Sequence, residues 1–262
     1  MSKTKTIVLT GVLVVILMLA IGVKFLFFPS IKDIYFATSR RSLLKVPSGL
    51  IVIRPTHFPL HREAIIYAPS GKDPSNNWRM SGRNVQLRNL IAIAYDETRG
   101  RVVLPDDAPT NVCFDFVITA PQTRPSLQKA IRKTLHYTAD KETNDTDVLA
   151  IKIVDPTLPG MTLSTTDKRS DTTNKNGKLT LGHTRLKELA PDFEWILKTP
   201  VVDETGLTNY YDMTFDWNPS MESRLQNETT ARPIADKILK NLGLALEPDT
   251  APVEVLMVKR VY

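Results

Sequence analysis

The chain has 262 residues, 42% hydrophobic, 24% charged and 7% aromatic, which excludes an intrinsically disordered chain and, equally, a polytopic membrane protein. Its 11 glycines follow no collagen-like period, and a single cysteine, Cys113, excludes an intramolecular disulfide framework, so stability has to come from a packed core. The net charge of +6 marks a basic protein, but the charge and the apolar residues are unevenly placed.

From Ile7 to Val23 the chain reads IVLTGVLVVILMLAIGV without a charge, and beyond Lys24 it resumes with Phe25, Leu26, Phe27 and Phe28. At about 1.5 Å per residue, a helix over residues 7–28 would reach ~33 Å, enough to cross the hydrocarbon core of a bilayer. Lys24 would snorkel to the headgroups, with the Phe cluster at the interface. A cleaved signal peptide is the rival reading, since Lys3 and Lys5 precede the run. The run is long for one, and its only small-x-small site, Ala20-Ile21-Gly22, lies inside the apolar stretch. The expectation is an uncleaved signal anchor with the membrane as partner through Ile7 to Phe28, a short cytoplasmic tail, and a body outside the cytoplasm. Residues 1–28 hold Lys3, Lys5 and Lys24 and no acid, which leaves the body at only +3. Lys129, Arg132 and Lys133 share one side of an expected helix and read as a solvated face, so no nucleic-acid partner is expected.

Residues 29–47 place Ile31, Ile34 and Tyr35 at helical spacing and read as a juxtamembrane linker. The runs Gly49-Leu-Ile-Val-Ile-Arg54 and Glu63-Ala-Ile-Ile-Tyr-Ala68, each stopped by a proline, read as strands. An internal repeat follows. Residues 83–97 put Val85, Leu87, Leu90, Ile91 and Ala94 on one helical face, and residues 179–197 do the same with Leu186, Leu189, Phe193 and Ile196. Each stretch leads to a valine pair (Val102-Val103, Val201-Val202), an alternating strand with an aspartate (Asp115, Asp212), an amphipathic helix and a closing strand. The last two elements correspond at an interval of 107 residues, Leu149 matching Leu256. The expected fold class is α+β: a single N-terminal transmembrane helix, then two tandem pseudo-repeated strand-helix-strand-helix-strand modules. The boundaries are 1–28 for tail and anchor, 29–47 for the linker, 48–155 for the first module, 156–177 for a flexible polar loop and 178–262 for the second module. A second polar interruption, 218–233, falls inside the latter.

The stretches VQLRNLIAIAY, FDF at 114–116, PVVDETGLTNYYDMTFDW at 200–217 and LGLALEPDTAPVEVLMVKRV at 242–261 resemble a family of soil-associated uncharacterised proteins defined by a domain of unknown function, DUF3738. The resemblance runs from about Gly49 to the end. The chain departs from it at Leu104 to Pro109, where the family usually shows Gly-Pro-x-Trp, at Asn209, where it puts Gly, and in the closing Val258 to Tyr262. The family has no established activity, so what the resemblance implies is an architecture and export to the envelope. Related domains fused to membrane peptidase-like sensor proteins hint at sensing or binding.

Asp203-Glu204-Thr205-Gly206 is the most conspicuous short motif. It is either a carboxylate pair near a glycine turn or a strand-ending turn in which Asp203 accepts a backbone N–H and Gly206 takes positive φ. Together with Tyr211, Asp212 and Trp217 it makes the candidate interaction site; no catalytic residue is assigned. His57 and His61, with Glu63 nearby, stand at the spacing of a zinc pair, but Pro59 between them forbids the helix that would align them. His136 and His183 read as surface residues and Cys113 as a small buried hydrophobe. Trp78, Trp195 and Trp217 read as core or groove-lining residues, with Trp217 and Tyr210 able to form a ligand platform. The nucleophile-elbow, phosphate-loop, zincin, Cys-x-x-Cys and dinucleotide motifs are missing, so no cofactor and no metal is expected. Three roles stay open: a non-catalytic binding or sensing module for an envelope protein or polymer, an envelope hydrolase using Asp203, Glu204 or Asp212, and a structural spacer.

Overall fold

The structure, a computed structural model, describes residues 31–37, 39–69, 78–173, 177–216 and 228–261. A 3-10 turn (Ile31–Tyr35) and α1 (Arg40–Leu43) lead into β1 (Ile51–Pro55), β2 (Ala64–Pro69), β3 (Trp78–Gln86), α2 (Leu87–Tyr95), a 3-10 turn (Arg99–Arg101), β4 (Val102–Val103), β5 (Cys113–Ile118), α3 (Thr123–Leu135) and β6 (Tyr137–Ile153). Then come β7 (Met161–Leu163), β8 (Ser170–Thr173), β9 (Lys178–Thr184), α4 (Leu186–Leu197), β10 (Val201–Asp203), β11 (Tyr211–Asp216), α5 (Glu228–Asn241) and β12 (Leu244–Arg260). The strands form three sheets of four, ordered β1-β5-β3-β2, β10-β6-β12-β4 and β7-β11-β9-β8.

The fold is mixed α+β, but it corrects the expected fold class in two respects. Among the described residues no helix is long and apolar enough to cross a membrane, the longest being α5 with 14 residues. The expected transmembrane segment Ile7 to Phe28 lies outside the described residues. The repeat, too, is longer than a five-element module. The sheet β1-β5-β3-β2 is matched strand for strand by β7-β11-β9-β8, so each copy carries eight elements in one order, β1 to β6 with α2 and α3, then β7 to β12 with α4 and α5. The polar loop expected over 156–177 therefore contains β7 and β8. Both are edge strands, and an edge strand facing water on one side needs no apolar run to mark it.

The two copies are not modules in tandem, because they build one sheet jointly. β6 and β12, 17 residues each, pair antiparallel over their whole length. The valine pair of the first copy lies parallel to the long strand of the second, Val102 opposite Leu256, and that of the second lies parallel to the long strand of the first, Val201 opposite Leu149. A two-residue strand cannot sustain a sheet alone, so each copy lends its short strand to the other's long one. Asp145 faces Pro252, and these stand 107 residues apart, the interval that also relates Leu149 to Leu256. An internal two-fold relation thus passes through that pair.

The chain divides into two compact units, one made of the described residues up to Leu87 with Pro109–Thr134, the other of Arg88–Ala108 with Leu135 onward. In the first, the expected linker is part of the core: Phe36, Leu43 and Val46 are buried against Ala68 and Val117. Ser39 caps α1 by accepting the Ser42 N–H at 3.2 Å. In the second unit, Leu186, Leu189, Ala190 and Phe193 follow the i, i+3, i+4, i+7 rule along α4 and pack with Ile234, Ile238 and Leu239 of α5 and Met213 and Phe215 of β11. Each such side chain contributes about 1.5–3 kcal/mol through burial. The expected helical stretches start later than their periodicity suggests. Residues 83–86 and 179–184 belong to β3 and β9, because Val85 and Gln86 pair with Phe114 and Cys113 and Leu179 to Leu181 pair with β11.

Candidate functional site

Both copies interrupt the pairing of their central strands with a bulge at the same place. In the first, Gly82 and Val85 face Phe116 and Phe114, so Arg83 and Asn84 stand opposite Asp115 alone; in the second, Gly182 and His183 stand opposite Asp212. Asn84 and His183 adopt left-handed backbone, φ 53° and 50°. Such a residue turns its N–H away from the ladder, and the aspartate receives it: Asn84 N–H donates to Asp115 Oδ1 at 3.0 Å, His183 N–H to Asp212 Oδ1 at 2.9 Å. A hydroxyl just after the edge strand joins each carboxylate. Thr56 Oγ1 donates to Asp115 Oδ1 at 2.7 Å, and the Ser164 hydroxyl bonds Asp212. The backbone follows suit, Thr56 N–H donating to Cys113 O at 2.9 Å and Ser164 N–H to Tyr210 O at 3.0 Å.

Beyond this shared latch the copies diverge. Asp115, 0% exposed, also accepts His57 N–H at 2.8 Å and lies 3.5 Å from Arg54 Nη2. Arg54 pairs with Asp33 as well, and its guanidinium covers the Phe36 ring at 4.0 Å. His57 Nδ1 stands 3.3 Å from Asp33 Oδ1, whereas the His61 ring meets Phe58 edge-on at 5.6 Å, so the two imidazoles have separate partners. No group of three or more metal-ligating side chains occurs among the described residues. The second copy is more open. Asp212 is half-buried, and its two donors hold the carboxyl below the usual range, the His183 N–H foremost. The His183 ring, expected at the surface, is half-buried and stacks on Tyr210 at 3.9 Å, and Arg185 lies over the same tyrosine at 4.2 Å. His183 Nδ1 and Arg185 Nε are buried without a hydrogen-bond partner.

The other expected site residues go to separate places. Asp203 ends β10 in an Asx turn, accepting Thr205 N–H at 3.0 Å and the Thr205 hydroxyl at 2.6 Å, and Gly206 follows at φ 70°. Glu204 points to Lys152, 3.5 Å away, which also meets Asp249 at 2.7 Å and Glu247 at 3.8 Å. Lys259, the repeat counterpart of Lys152, meets Glu142 and Asp140 in the same manner, so this cluster belongs to the sheet's symmetry. Tyr211 is a core residue, and Trp217 lies outside the described residues. Trp195 is 67% exposed and Trp78 is exposed too, so of the two places expected for them, core or groove lining, neither takes the core. Cys113 is half-buried, and burial above all pushes its thiol up.

Two features escape a linear reading. Glu194 of α4 is buried and takes Arg101 Nε at 2.7 Å and Nη2 at 2.9 Å, a forked pair, with Thr98 donating to it as well. Where α4 ends, left-handed Lys198 caps it, its N–H donating to Glu194 O at 2.8 Å. Here Arg88, Arg99, Leu197, Lys198 and Thr199 line a cavity of about 300 Å³. The backbones meet so closely that a Cβ on Gly100 would stand 2.8 Å from Thr199 N. Burial and the neighbouring Arg99 charge pull Arg88 below its ordinary value. The signal available in the sequence was the 99-residue interval that relates Val102 to Val201, which also pairs Arg88 with Lys187 and Arg99 with Lys198, basic with basic.

A family model described as "Protein of unknown function (DUF3738)" matches residues 88–261, about two thirds of the chain. The chain belongs to this family. The DUF3738 match starts at Arg88, in α2, so it takes in the whole second copy but only the later part of the first. Asp115, Asp212 and the cavity residues fall inside it, whereas Asp33, Arg54, Thr56 and His57 precede it. Comparison with curated proteins and with solved structures gave no match.

Proposed function

We propose that this DUF3738 chain is a non-catalytic binding module of the bacterial envelope, working outside the cytoplasm at the membrane. What supports it most is the commitment of the carboxylates that could have served as acid and base. Asp203 and Asp212 each accept a main-chain N–H, and the arrangement at Asp212 is copied at Asp115, where a fully buried carboxylate has no access to substrate. A duplicated constellation serves the fold of both copies, whereas an active site needs only one. The location rests on the uncharged run from Ile7 to Val23 and on a nearly neutral body.

The test uses the full-length chain, solubilised in detergent, with purified cell-wall polymer and with envelope peptides. The chain should co-sediment with its envelope component and release no fragments from it. Turnover that disappears in Asp203→Asn or Glu204→Gln while the thermal midpoint stays put would overturn this in favour of the hydrolase. Alkaline extraction of membranes should leave the chain in the pellet.

A further inference from the structure

Residues 33–37 and 39–48 lie as a strap across one face of the sheet β1-β5-β3-β2. Alternation along β3 turns Arg79, Ser81 and Arg83 toward it, and each fastens it. Arg79 donates to Leu44 O at 3.2 Å and to the Ser48 hydroxyl at 2.8 Å, Ser81 to Ala37 O at 3.4 Å and Arg83 to Phe36 O at 2.6 Å. The inner side of the strap, Phe36, Ala37, Leu43 and Val46, is buried with Ala68 and Val117. Its outer side differs in kind. Ile34 is 64% and Leu44 51% exposed, and Arg40, Arg41 and Lys45 are exposed as well. Arg40 with Leu44, and Arg41 with Lys45, stand at i, i+4 and so share the side of α1 away from buried Leu43. Residues 34–48 contain no acid, and Arg40, Arg41 and Lys45 have no ion-pair partner among the described residues. Aliphatic side chains set among uncompensated cations suit the two layers of an anionic bilayer surface, acyl boundary below and headgroup phosphate above. An acidic protein would answer the cations too, but the place of the strap in the chain favours lipid. Phe28 closes the apolar run of the sequence three residues before Ile31, no more than ~11 Å at full extension, so the run on which the membrane location rests brings the strap to the lipid surface.

We propose that the outer side of this strap, Ile34 and Leu44 with Arg40, Arg41 and Lys45, docks on the surface of an anionic lipid bilayer, the aliphatic side chains entering the acyl boundary and the cations meeting headgroup phosphates. This rests on the chain working at the membrane and names the part of the body that lies against the lipid.

The experiment reconstitutes the full-length chain in vesicles of phosphatidylcholine, alone or with an equal part of phosphatidylglycerol, and follows a fluorophore on Leu44→Cys in a Cys113→Ala background. Flotation shows whether the vesicles hold the chain, and quenching by lipids spin-labelled near the headgroup shows whether the strap touches them. Quenching should be strong in the anionic vesicles, weak in the neutral ones and lost in ~1 M sodium chloride, where charges are screened beyond about 3 Å. Arg40→Gln, Arg41→Gln and Lys45→Gln should each shift the docked fraction about fivefold toward release, with an unchanged far-UV circular dichroism spectrum, since all three side chains are exposed. Arg40→Lys should dock as wild type does, because the attraction is to charge and not to a guanidinium fork. The unlabelled wild-type chain gives a second reading: amide hydrogen exchange over residues 40–45 should be slower in anionic than in neutral vesicles. A chain that floats while its label and amides respond to neither lipid would overturn the docking and leave the membrane location standing; a chain that floats with neither vesicle would overturn both. Quenching equal in the two lipids would remove the anionic requirement and with it the proposal. A label silent to lipid that shifts with protein density in the vesicle would assign this face to a second copy of the chain instead.

Discussion

Asp115 and Asp212 occupy equivalent places in two copies of one strand and hold the same bulge, yet one is sealed and the other half open. The difference comes from the edge strand. Opposite Asp115 stands Arg54, and opposite Asp212 stands Thr162. Arg54 brings a charge that has to be neutralised, and Asp33 and the Phe36 ring close over it. The second copy, lacking that charge, leaves its aspartate to a main-chain N–H and a hydroxyl and covers the bulge with the His183–Tyr210 stack. One backbone device thus supports two energetic settings, a buried ionic network and a partly wet polar latch.

The largest effect should separate these settings directly. Asp115→Ala leaves two main-chain donors and the Thr56 hydroxyl without their acceptor, removes one of the two carboxylates that Arg54 meets, and should cost about 3–5 kcal/mol. Asp212→Ala leaves donors that water can reach and should cost about 1–2 kcal/mol. Urea unfolding followed by far-UV circular dichroism measures both; equal losses would mean that the ionic shell around Asp115 adds nothing to the shared latch. The next effect concerns the stack. His183→Asn installs in the second copy the residue that the first uses, keeps a side chain tolerant of left-handed backbone, and removes only the ring contact with Tyr210. It should cost about 0.5–1.5 kcal/mol. No loss would show that Tyr210 and Arg185 hold their places without the imidazole.

Much of this was legible in the sequence, and what was not has physical causes. The apolar spacing of Leu186, Leu189 and Phe193 marked α4, and the valine pairs and the 107-residue interval marked the duplication, because buried faces leave periodic traces. β7 and β8 left none, since an edge strand with polar residues resembles a loop. The strand ends of β3 and β9 run into the following helices with no turn residue to mark the change, although Val85 and Leu87, two apart, have the spacing of a strand and not of a helix. The strand-ending turn at Asp203 and Gly206 was one of the two readings the motif allowed, and Asp115 and Asp212 stood out only as recurring at matching places in the repeat. Their partners did not show, because Thr56 and Asn84, like Ser164 and His183, meet the aspartate only through strand pairing. The Arg88, Arg99 and Lys198 cavity was hidden because its basic residues come from three separate elements of the chain, of which only Arg99 and Lys198 are counterparts in the two copies.

The smallest expected effect sharpens the comparison through pH. The His183 N–H and the Ser164 hydroxyl bond the charged form of Asp212 and so depress its pKa in the folded chain. A carboxylate depressed on folding adds stability that is present above its unfolded value of about 3.9 and is lost as pH falls through the folded value. Asp212→Asn keeps an oxygen that can accept the His183 N–H but cannot titrate. Its deficit against wild type should therefore be constant near neutral pH and shrink below pH of about 4, where the wild-type carboxyl takes up its proton. Ser164→Ala removes one of the two donors, so Asp212 should protonate at a higher pH in the folded chain; the acid loss of stability should still set in near the unfolded value but be smaller and finish at a higher pH in a series of urea midpoints. A deficit for Asp212→Asn that stays constant down to pH of about 2.5 would place the stabilisation in the shape of the bulge and not in the carboxylate's charge.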